Sequence, residues 1–346
     1  MGSRLRADDR GHRAVHHEPR ETMTPYLRSI LLVALALLAC GPVPVQAQDY
    51  PSRPVRLIIT TPAGGLVDVV GRILADELSA RLGQPIVIDN RPGGMTQVGT
   101  DALVRSPADG YTLMIATSES AMMPFLKKSY RYDPIKDFTP VALVTTSWTV
   151  FAVNPNVPAR TLPELISYAK ANPGKLRYGS GGVGGALHIA VEMLKLATGA
   201  DIVHVPYRGG AQAATDAISG QIDMVSMGLA SARVAEGGKL RLLAQTGPSR
   251  HPLFPDVPTT AEYGLPEVRM DTWFGVAAPP GTPEAVVARL NREIAEIARQ
   301  QGFQDKLAKI GCANAFMPQA EFTAFIAQES KKWQRLIPAM GIPQID

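Results

Sequence analysis

From residue 50 onward, the hydrophobic pattern switches repeatedly between two periods. Short apolar runs, typical of buried strands, are followed by segments with apolar residues three and four positions apart, typical of helices packed on a core. The predicted strands are residues 55–60, 85–88, 111–116, 148–153, 176–178, 202–205, 224–226 and 240–244. Strands that alternate with helices predict βαβ units and a parallel sheet.

Helix boundaries support this interpretation. Thr161 and Glu164 form a capping box with Pro163 in the first turn, which predicts a helix that ends near 172–174. The strand and helix alternation starts again after this helix. We therefore expect an α/β chain with two lobes, each a mainly parallel sheet flanked by helices, and a ligand at the carboxyl ends of the strands.

The first 47 residues read as a leader. Arg28 precedes the apolar run 30–40, and Val45–Ala47 is a small-x-small cleavage site. This pattern predicts a cleaved secretory signal peptide, because a membrane-spanning helix needs about 20 apolar residues. The Arg- and His-rich stretch before Met23 favours Met23 as the start of translation. The competing interpretation is a lipoprotein acylated at Cys40, for which Leu38 is a poor match.

Composition narrows the class of protein. The 346 residues are 45% hydrophobic and 19% charged, which is typical of a globular chain. Removing the leader takes away six Lys/Arg and four Asp/Glu and lowers the formal net charge from +4 to +2. Without a clustered basic face, we expect no nucleic-acid partner. Cys312 is then the single cysteine, so no internal disulfide is expected, and His188, His204 and His251 lie in no metal motif. We expect neither a metal nor a cofactor.

Two glycine-rich turns each join a predicted strand to a helix, at corresponding places in the two units. They are 61–68 (TPAGGLVD) and 179–188 (GSGGVGGALH). Each turn exposes backbone N–H groups at a helix amino end, where the helix dipole attracts an anion. Two such ends facing each other would hold a carboxylate without a charged side chain.

Other interpretations of the same residues stay open. Each turn could simply let a helix pack closely on its sheet. Gly179, Gly181 and Gly184 also satisfy G-x-G-x-x-G, with Asp201 at the distance of a ribose-binding acid. Lys175 and Arg177, at and just before the short preceding strand, stand where a dinucleotide site needs a buried apolar run and argue against it. No nucleophile with an adjacent base is visible, so we expect no catalytic residue and no enzyme. His188 could equally be a hydrogen-bonding brace for its loop.

The residues themselves resemble the Bug family, the solute receptors of tripartite tricarboxylate transporters. Matching stretches follow one another in order along the chain after the leader. They are YPSRPVRLII, PAGGLVD, LGQPIVIDNRPGG, ADGYTLMIATS, FAVNPNVPARTLPELISYAKANPGKLRYGSGGVGG, HVPYRGG, GQIDMV, GKLRLLAQTG, FPDVPTTAEYGLP and APPGTP. One such stretch is weak support, whereas ten in register are specific.

The resemblance implies a periplasmic binding protein of the flytrap fold that closes on a small carboxylate. The site residues that it implies come from both glycine turns, from the end of a strand and from the segment after HVP. They are Thr61, Pro62, Ala63, Gly64, Gly65, Asp68, Ser118, Ser180, Gly181, Gly182, Gly184, Gly185, His188, Tyr207, Arg208, Gly209 and Met227. Asp68 is expected to brace the first helix and His188 to lie behind the second loop. Valine at Gly182 is expected to abolish binding and leave the fold intact.

The expected lobes are 48–149 with 272–346, and 150–271, with the chain crossing near 147–150 and 270–273. Several positions depart from the family pattern: Thr60, Thr61, Val67, Gly185 and Met227. These changes remove hydroxyls and add no charge, so they favour a monocarboxylate with an apolar or aromatic body over citrate. Arg208 could grip a second carboxylate, or be a solvated loop residue.

The resulting hypothesis is a periplasmic, monomeric receptor that delivers a carboxylate to integral membrane permease subunits. A sensory receptor that presents the same closed form to a signalling partner is the alternative. A secreted enzyme is the third class and lacks the required side chains. Sequence does not separate transport from sensing.

Overall fold

The computed structural model describes residues 50–346. The predicted signal peptide, the start at Met23 and the acylation site at Cys40 all lie outside the described residues. Across the part of the chain that is described, no helix combines the length and apolar character needed to cross a membrane.

Strands and helices alternate through most of the chain, as the hydrophobic pattern predicts. The strands are β1 Val55–Ile59, β2 Ile86–Asn90, β3 Thr112–Thr117, β4 Thr139–Val153, β5 Leu176–Ser180, β6 Ile202–Pro206, β7 Met224–Gly228, β8 Arg241–Gln245, β9 Asp271–Ala278 and β10 Ala313–Met317. The helices are α1 Leu66–Leu82, α2 Gln97–Val104, α3 Ser118–Leu126, α4 Leu162–Ala171, α5 Ala186–Thr198, α6 Gly210–Ser219, α7 Glu284–Ala298, α8 Gln301–Lys309 and α9 Gln319–Ala339.

The strands form one mixed sheet in the order β2-β1-β3-β9-β4-β7-β5-β6, with β8 and β10 also paired to β4. Two sets are parallel: β1 lies between β2 and β3, and β5 lies between β6 and β7. All pairs made by β4 and β9 are antiparallel. The predicted α/β class is confirmed, and the antiparallel centre is a feature that the sequence pattern did not predict.

Strand β4 joins the two parallel sets. It pairs with β9 along Thr139–Trp148 and with β7 and β8 from Thr149 or Val150 to Val153. Its residues are almost all buried, as expected of a central strand with neighbours on both sides. The pattern predicted only its second part, residues 148–153. The change of partners falls within the predicted crossing at 147–150, and β9 begins within the other crossing.

Helices cover both faces of the sheet. Helices α1, α7 and α8 pack on one face of the first set, and α3 and α9 on the other. In the second set, α5 and α6 lie on opposite faces. The carboxyl ends of β1–β3 lie at one edge and those of β5–β7 at another, because parallel strands end at the same side. The β1–α1 and β5–α5 connections at these edges are the two glycine loops.

Candidate ligand-binding site

The first glycine loop, Thr61–Gly65, connects β1 to the amino end of α1. Gly65 is the N-cap residue, in an extended conformation (φ −74°, ψ 164°), and no side chain caps the helix. The first-turn amides of this 17-residue helix therefore point toward the loop without a side-chain acceptor. Together with the positive end of the helix dipole, they form a site suited to an anion.

Asp68 holds this loop in place from the first turn of α1. Its Oδ2 accepts the Gly64 N–H and the Arg72 Nε–H, both at 2.9 Å, and its Oδ1 accepts Asn90 Nδ2–H at 2.9 Å. The same Asn90 amide donates to the Thr61 carbonyl at 3.1 Å. The bonds from Arg72, Gly64 and Asn90 outweigh burial and lower the pKa of Asp68 to about 2. The carboxylate is thus ionised and fully engaged with the loop.

The second glycine loop, Ser180–Gly185, repeats this arrangement between β5 and α5. Its N-cap residue Gly185 has φ −74° and ψ 161°, and no side chain caps α5. Gly184 has φ +80°, matching the +83° of Gly64. The Gly184 N–H donates to His188 Nδ1 at 3.3 Å, four residues onward, as the Gly64 N–H donates to Asp68. A neutral imidazole replaces the carboxylate of the first loop.

A second histidine supports the same loop from strand β6. The His204 ring lies 4.2 Å from the His188 ring and 4.7 Å from Tyr178, measured between ring centroids. His204 Nε2 is 2.7 Å from Ser180 Oγ, which in turn accepts the Gly182 N–H at 3.2 Å. Burial, together with the neighbouring His204, lowers the pKa of His188 to about 4, and burial also lowers that of His204. Both rings are neutral at pH 7.

The segment after β6 lies directly against the second loop. Tyr207 donates its N–H to the Ser180 carbonyl at 3.1 Å, and a Cβ on Gly181 would lie 3.3 Å from the Gly210 nitrogen. Gly209 is the N-cap of α6, again without a side-chain cap. Two uncapped helix ends, those of α5 and α6, therefore meet at this edge.

The two side chains of this segment behave differently. The Tyr207 hydroxyl donates to Asp216 Oδ2 at 2.8 Å, so it is occupied by α6. Arg208 is exposed and forms no ion pair with any residue between 50 and 346. Its guanidinium is free to meet an anion.

Ser118 and Met227, two further members of the predicted set, are both buried. Ser118 begins α3 directly after β3, at the same sheet edge as the first loop. Met227 packs in an apolar cluster with Trp148, Val150 and Ala213, so its side chain is part of the core. Its neighbour Ser226 points to the opposite face, fully buried, and its Oγ has no hydrogen-bond partner among the described residues.

The second loop also touches the first half of the chain. A Cβ on Gly184 would lie 3.3 Å from Met95 Cε, 3.4 Å from Leu126 Cδ1 and 3.9 Å from Ile345 Cδ1. The N–H of Ile345 donates to the Leu126 carbonyl at 2.8 Å, and this bond fixes the carboxyl-terminal segment against α3. The turn that presents the α5 amides therefore lies close to the loop before α2, to α3 and to the carboxyl-terminal segment.

Sequence reasoning missed two residues that hold the loops, Asn90 and His204, and one buried polar residue near them, Ser226. Asn90 and His204 lie within stretches that carry the family resemblance, but their partners come from neighbouring elements. Strand alternation could have indicated Ser226, because it shares a face with Met224 and not with Met227.

Comparison with known proteins identifies the family and the fold of this chain. Residues 70–342 match the model of the tripartite tricarboxylate transporter family receptor. The chain is 34% identical to protein BugT of Bordetella pertussis over 319 residues, 91% of this chain and 98% of that protein. A solved structure of a periplasmic transporter is 37% identical, with a TM-score of 0.76, and the match covers 86% of this chain and 100% of that one.

Two further solved structures contain a named small molecule. An R. palustris protein with adipate is 32% identical, with a TM-score of 0.75 over 86% of this chain and 100% of that one. MatC from Rhodopseudomonas palustris with bound malate is 28% identical, with a TM-score of 0.71 over 83% of this chain and 100% of that one. The predicted binding-protein fold and the resemblance to the Bug family are confirmed. The chain therefore belongs to the tripartite tricarboxylate transporter receptor family, a family of solute-binding receptors and not of enzymes.

Proposed function

We propose that this protein is exported to the periplasm by its signal peptide, captures a small carboxylated metabolite between its two glycine loops and delivers it to the integral membrane subunits of a tripartite transporter. One observation carries the proposal: two matching turns each present an uncapped helix amino end, with the glycine before each N-cap tied to a side chain four residues later. Such paired backbone sites suit a carboxylate.

Unpartnered polar groups at both loops support the same ligand class. Thr61 Oγ1 in the first loop and Ser226 Oγ beside β5 are buried and have no partner among residues 50–346. A buried hydroxyl without a partner costs about 1–3 kcal/mol. A bound carboxylate with its ordered waters would supply the missing acceptors.

The solved relatives and the departures of this chain narrow the ligand further. The relatives with adipate and malate hold dicarboxylates. Val67 and Gly185 offer no hydroxyl, and Arg208 is the unpaired cation beside the second loop. We propose a ligand with one carboxylate on the loops and an apolar or aromatic body, and at most one further carboxylate, on Arg208; citrate is disfavoured.

Capture would work by closure of two lobes, 48–149 with 272–346 and 150–271. The pairing of β4 supports this division, because its partners change between Trp148 and Thr149. A ligand that contacts both lobes favours the closed form, by no more than its difference in affinity for the two forms. Monomers suffice for this mechanism.

A thermal-shift screen tests the proposal. The full chain is expressed with its leader, purified from the periplasm, and freed of bound solute by unfolding and refolding. The panel holds adipate, malate, benzoate, citrate and neutral amino acids. A ligand at 100 times its Kd adds about 2.7 kcal/mol, which raises the Tm by roughly 5 °C at this size. A selective shift with carboxylates supports the proposal, and a folded protein that shifts with none of them contradicts it.

Delivery needs a separate measurement. A strain that carries the permease subunits should take up the identified carboxylate only when this receptor is present. Export is checked by mass spectrometry of the periplasmic protein, which should begin near residue 48. Uptake that is unchanged without the receptor would contradict delivery, and lipid on Cys40 would replace the cleavage assignment.

A further inference from the structure

We propose that His188 and His204 are positioning residues for the second glycine loop, and that the loop keeps its carboxylate-accepting shape only while the His188 imidazole is neutral, so that solute capture depends on pH. This inference rests on the proposed function, because it concerns the same loop. The role of the two histidines is to position the loop, and it involves neither a cofactor nor a catalytic step.

The first part of the argument is the bond chain from His204 to Gly182. The Ser180 hydroxyl has one proton and three partners: His204 Nε2 at 2.7 Å, the Gly182 N–H at 3.2 Å and the Gly182 carbonyl at 3.2 Å. His204 Nε2 either accepts the hydroxyl proton or donates a proton to Ser180 Oγ while the hydroxyl donates to the Gly182 carbonyl. In both arrangements Ser180 Oγ accepts the Gly182 N–H, so His204 positions Ser180 and Gly182 whatever its charge.

The second part is the bond between Gly184 and His188. The Gly184 N–H points at His188 Nδ1 from 3.3 Å, which requires that this nitrogen carry no proton. A charged ring would place two N–H groups against each other. Gly184 would then have to turn away, and it immediately precedes Gly185, the N-cap of α5. Charging His188 therefore disturbs the amides that are proposed to hold the carboxylate.

The third part is the surroundings of the two rings. Both lie between β5 and α5, with centroids 4.2 Å apart, so a charge on one ring disfavours a charge on the other. Three further groups face them: Tyr178, Glu192 and Lys195. The Tyr178 hydroxyl donates to Glu192 Oε1 at 2.7 Å and Lys195 Nζ lies 2.8 Å from the same oxygen. The Glu192 carboxylate is thus already paired with Lys195 and hydrogen-bonded to Tyr178.

Comparison with the first loop shows why the pH dependence is one-sided. Asp68 occupies the equivalent position there, and its pKa of about 2 keeps it ionised throughout the physiological range. His188, with its pKa lowered to about 4 by burial and by His204, is neutral at pH 7 and becomes charged on acidification. Acid therefore changes the second loop and leaves the first loop unaltered.

Nuclear magnetic resonance of the solute-free protein tests the positioning role without any ligand. The full chain, labelled with [15N]glycine and [15N]histidine and purified from the periplasm, is titrated from pH 8 to pH 4. At pH 7.5 the ring nitrogens of His188 should report a proton on Nε2. The Gly184 amide shift should then follow the protonation of the His188 ring. A proton on Nδ1 of His188, or a Gly184 amide that ignores the ring titration, would overturn the proposal.

Two conservative variants separate positioning from a merely structural role. His188→Asn keeps an acceptor near Nδ1, and His204→Gln keeps one near Nε2, but neither side chain titrates. Each should leave its own glycine amide close to the wild-type shift at pH 7.5, and His188→Asn should remove the pH dependence of the Gly184 amide. His204→Leu, which has no acceptor, should displace the Gly182 amide at every pH. Val203→Thr, an exposed neighbour on the same strand, is the matched control and should change neither amide.

Calorimetry with adipate and malate links the loop to capture. Between pH 7.5 and pH 4 we expect the affinity of the wild-type protein to fall at least twofold more than that of the double variant His188→Asn/His204→Gln, because about half of the His188 rings are charged at pH 4. The comparison cancels the ionisation of the ligand itself, which is the same for both proteins. Equal losses in both would overturn the link to capture. Binding of neither probe would count against the proposed ligand class alone, since the amide titration still decides the positioning role.

Discussion

Asp68 and His188 occupy equivalent positions in two matching turns, and each accepts the N–H of the glycine four residues before it, at 2.9 Å and 3.3 Å respectively. The glycines concerned, Gly64 and Gly184, have almost the same left-handed backbone, with φ of +83° and +80°. The protein therefore builds one kind of anion-accepting turn twice, once with a charged brace and once with a neutral one. The two turns should respond differently to mutation and to pH.

Asp68→Asn should destabilise the fold and weaken carboxylate binding. The amide keeps one acceptor oxygen for Gly64, Arg72 and Asn90, so at least one buried donor loses its partner. We expect the free energy of unfolding to fall by about 1–3 kcal/mol and carboxylate affinity to fall about tenfold or more. Urea denaturation and calorimetry at pH 7 measure the two effects. Asp76→Asn, an exposed change on the same helix, is the control and should alter neither.

The pH dependence of the Asp68 variant has a defined sign. Because the pKa of Asp68 is lowered from 3.8 to about 2, its carboxylate stabilises the folded state above pH 4, and that stabilisation is lost as the pH falls through 2. The difference in stability between wild type and Asp68→Asn should therefore be constant from pH 7 to pH 4 and shrink below it. A difference that already vanishes by pH 5 would show that the carboxylate is not held as described.

Stability should also fall on mild acidification, because His188 is buried in its neutral form. Its pKa is lowered from 6.5 to about 4, so the unfolded chain takes up this proton first, and stability is lost as the pH falls from about 6.5 to 4. The full effect of this group is about 3 kcal/mol. Urea denaturation of His188→Asn should show a flatter pH profile over this window than wild type. A profile as steep as that of wild type would contradict the assignment.

Valine at Gly185 is the cleaner probe of the second helix end. Gly182 has φ +122°, where a β-branched residue is strained, so Gly182→Val should lower stability by about 1–3 kcal/mol as well as impair binding. The structure thus contradicts the expectation that this change leaves the fold untouched. Gly185 has φ −74°, and a Cβ there would lie no closer than 3.7 Å to the Gly182 carbonyl oxygen.

Gly185→Val should therefore cost less than about 1 kcal/mol of stability while its side chain blocks an anion from the α5 amides. We expect carboxylate affinity to drop by at least tenfold in calorimetry. Gly302→Val, at an unobstructed glycine in α8, serves as the comparison and should bind normally. Unchanged affinity in the Gly185 variant would show that the carboxylate does not approach α5.

Ser226→Ala should separate stability from binding. Its hydroxyl is fully buried and has no partner among residues 50–346, so its removal should leave the solute-free protein unchanged or up to about 1 kcal/mol more stable. If the hydroxyl bonds the solute or its water, affinity falls about tenfold. Ser219→Ala, exposed at the end of α6, is the control for both measurements. A loss of stability in Ser226→Ala would mean that an internal partner holds the hydroxyl.

Local rules predicted the parts of the fold that local forces decide. The capping box at Thr161 is present, with its Oγ1 accepting the Glu164 N–H at 3.4 Å, and α4 begins at the next residue. The first half of β4 was missed, because Thr139–Ser147 mixes polar and apolar residues that become a strand only between β9 and β10. Strands β9 and β10 were also missed. Both pair with β4, which lies more than 100 residues away in the sequence, so a local pattern does not reveal them.

The candidate site likewise has parts that local sequence predicts and parts that depend on contacts between distant strands. Both glycine loops, and the equivalence of Gly64 and Gly184, could be read from strand, turn and helix order. Asn90 and His204 could not, because their roles arise from bonds to loops formed by other strands. Met227 was assigned from its position in a motif. Its side chain packs in the core with Trp148 and Val150, and its contact with a ligand stays a prediction.

The two places where the chain passes between the parallel strand sets carry two of the three tryptophans of the protein. Trp148 ends the segment of β4 paired with β9 and donates its Nε1–H to Gln245 at 2.9 Å, and Trp273 lies near the start of β9, fully buried, with no partner for its Nε1 among residues 50–346. The proposed closing motion would change the surroundings of both indoles. Intrinsic fluorescence would then report solute capture without a label, and Trp333→Phe would remove the third emitter.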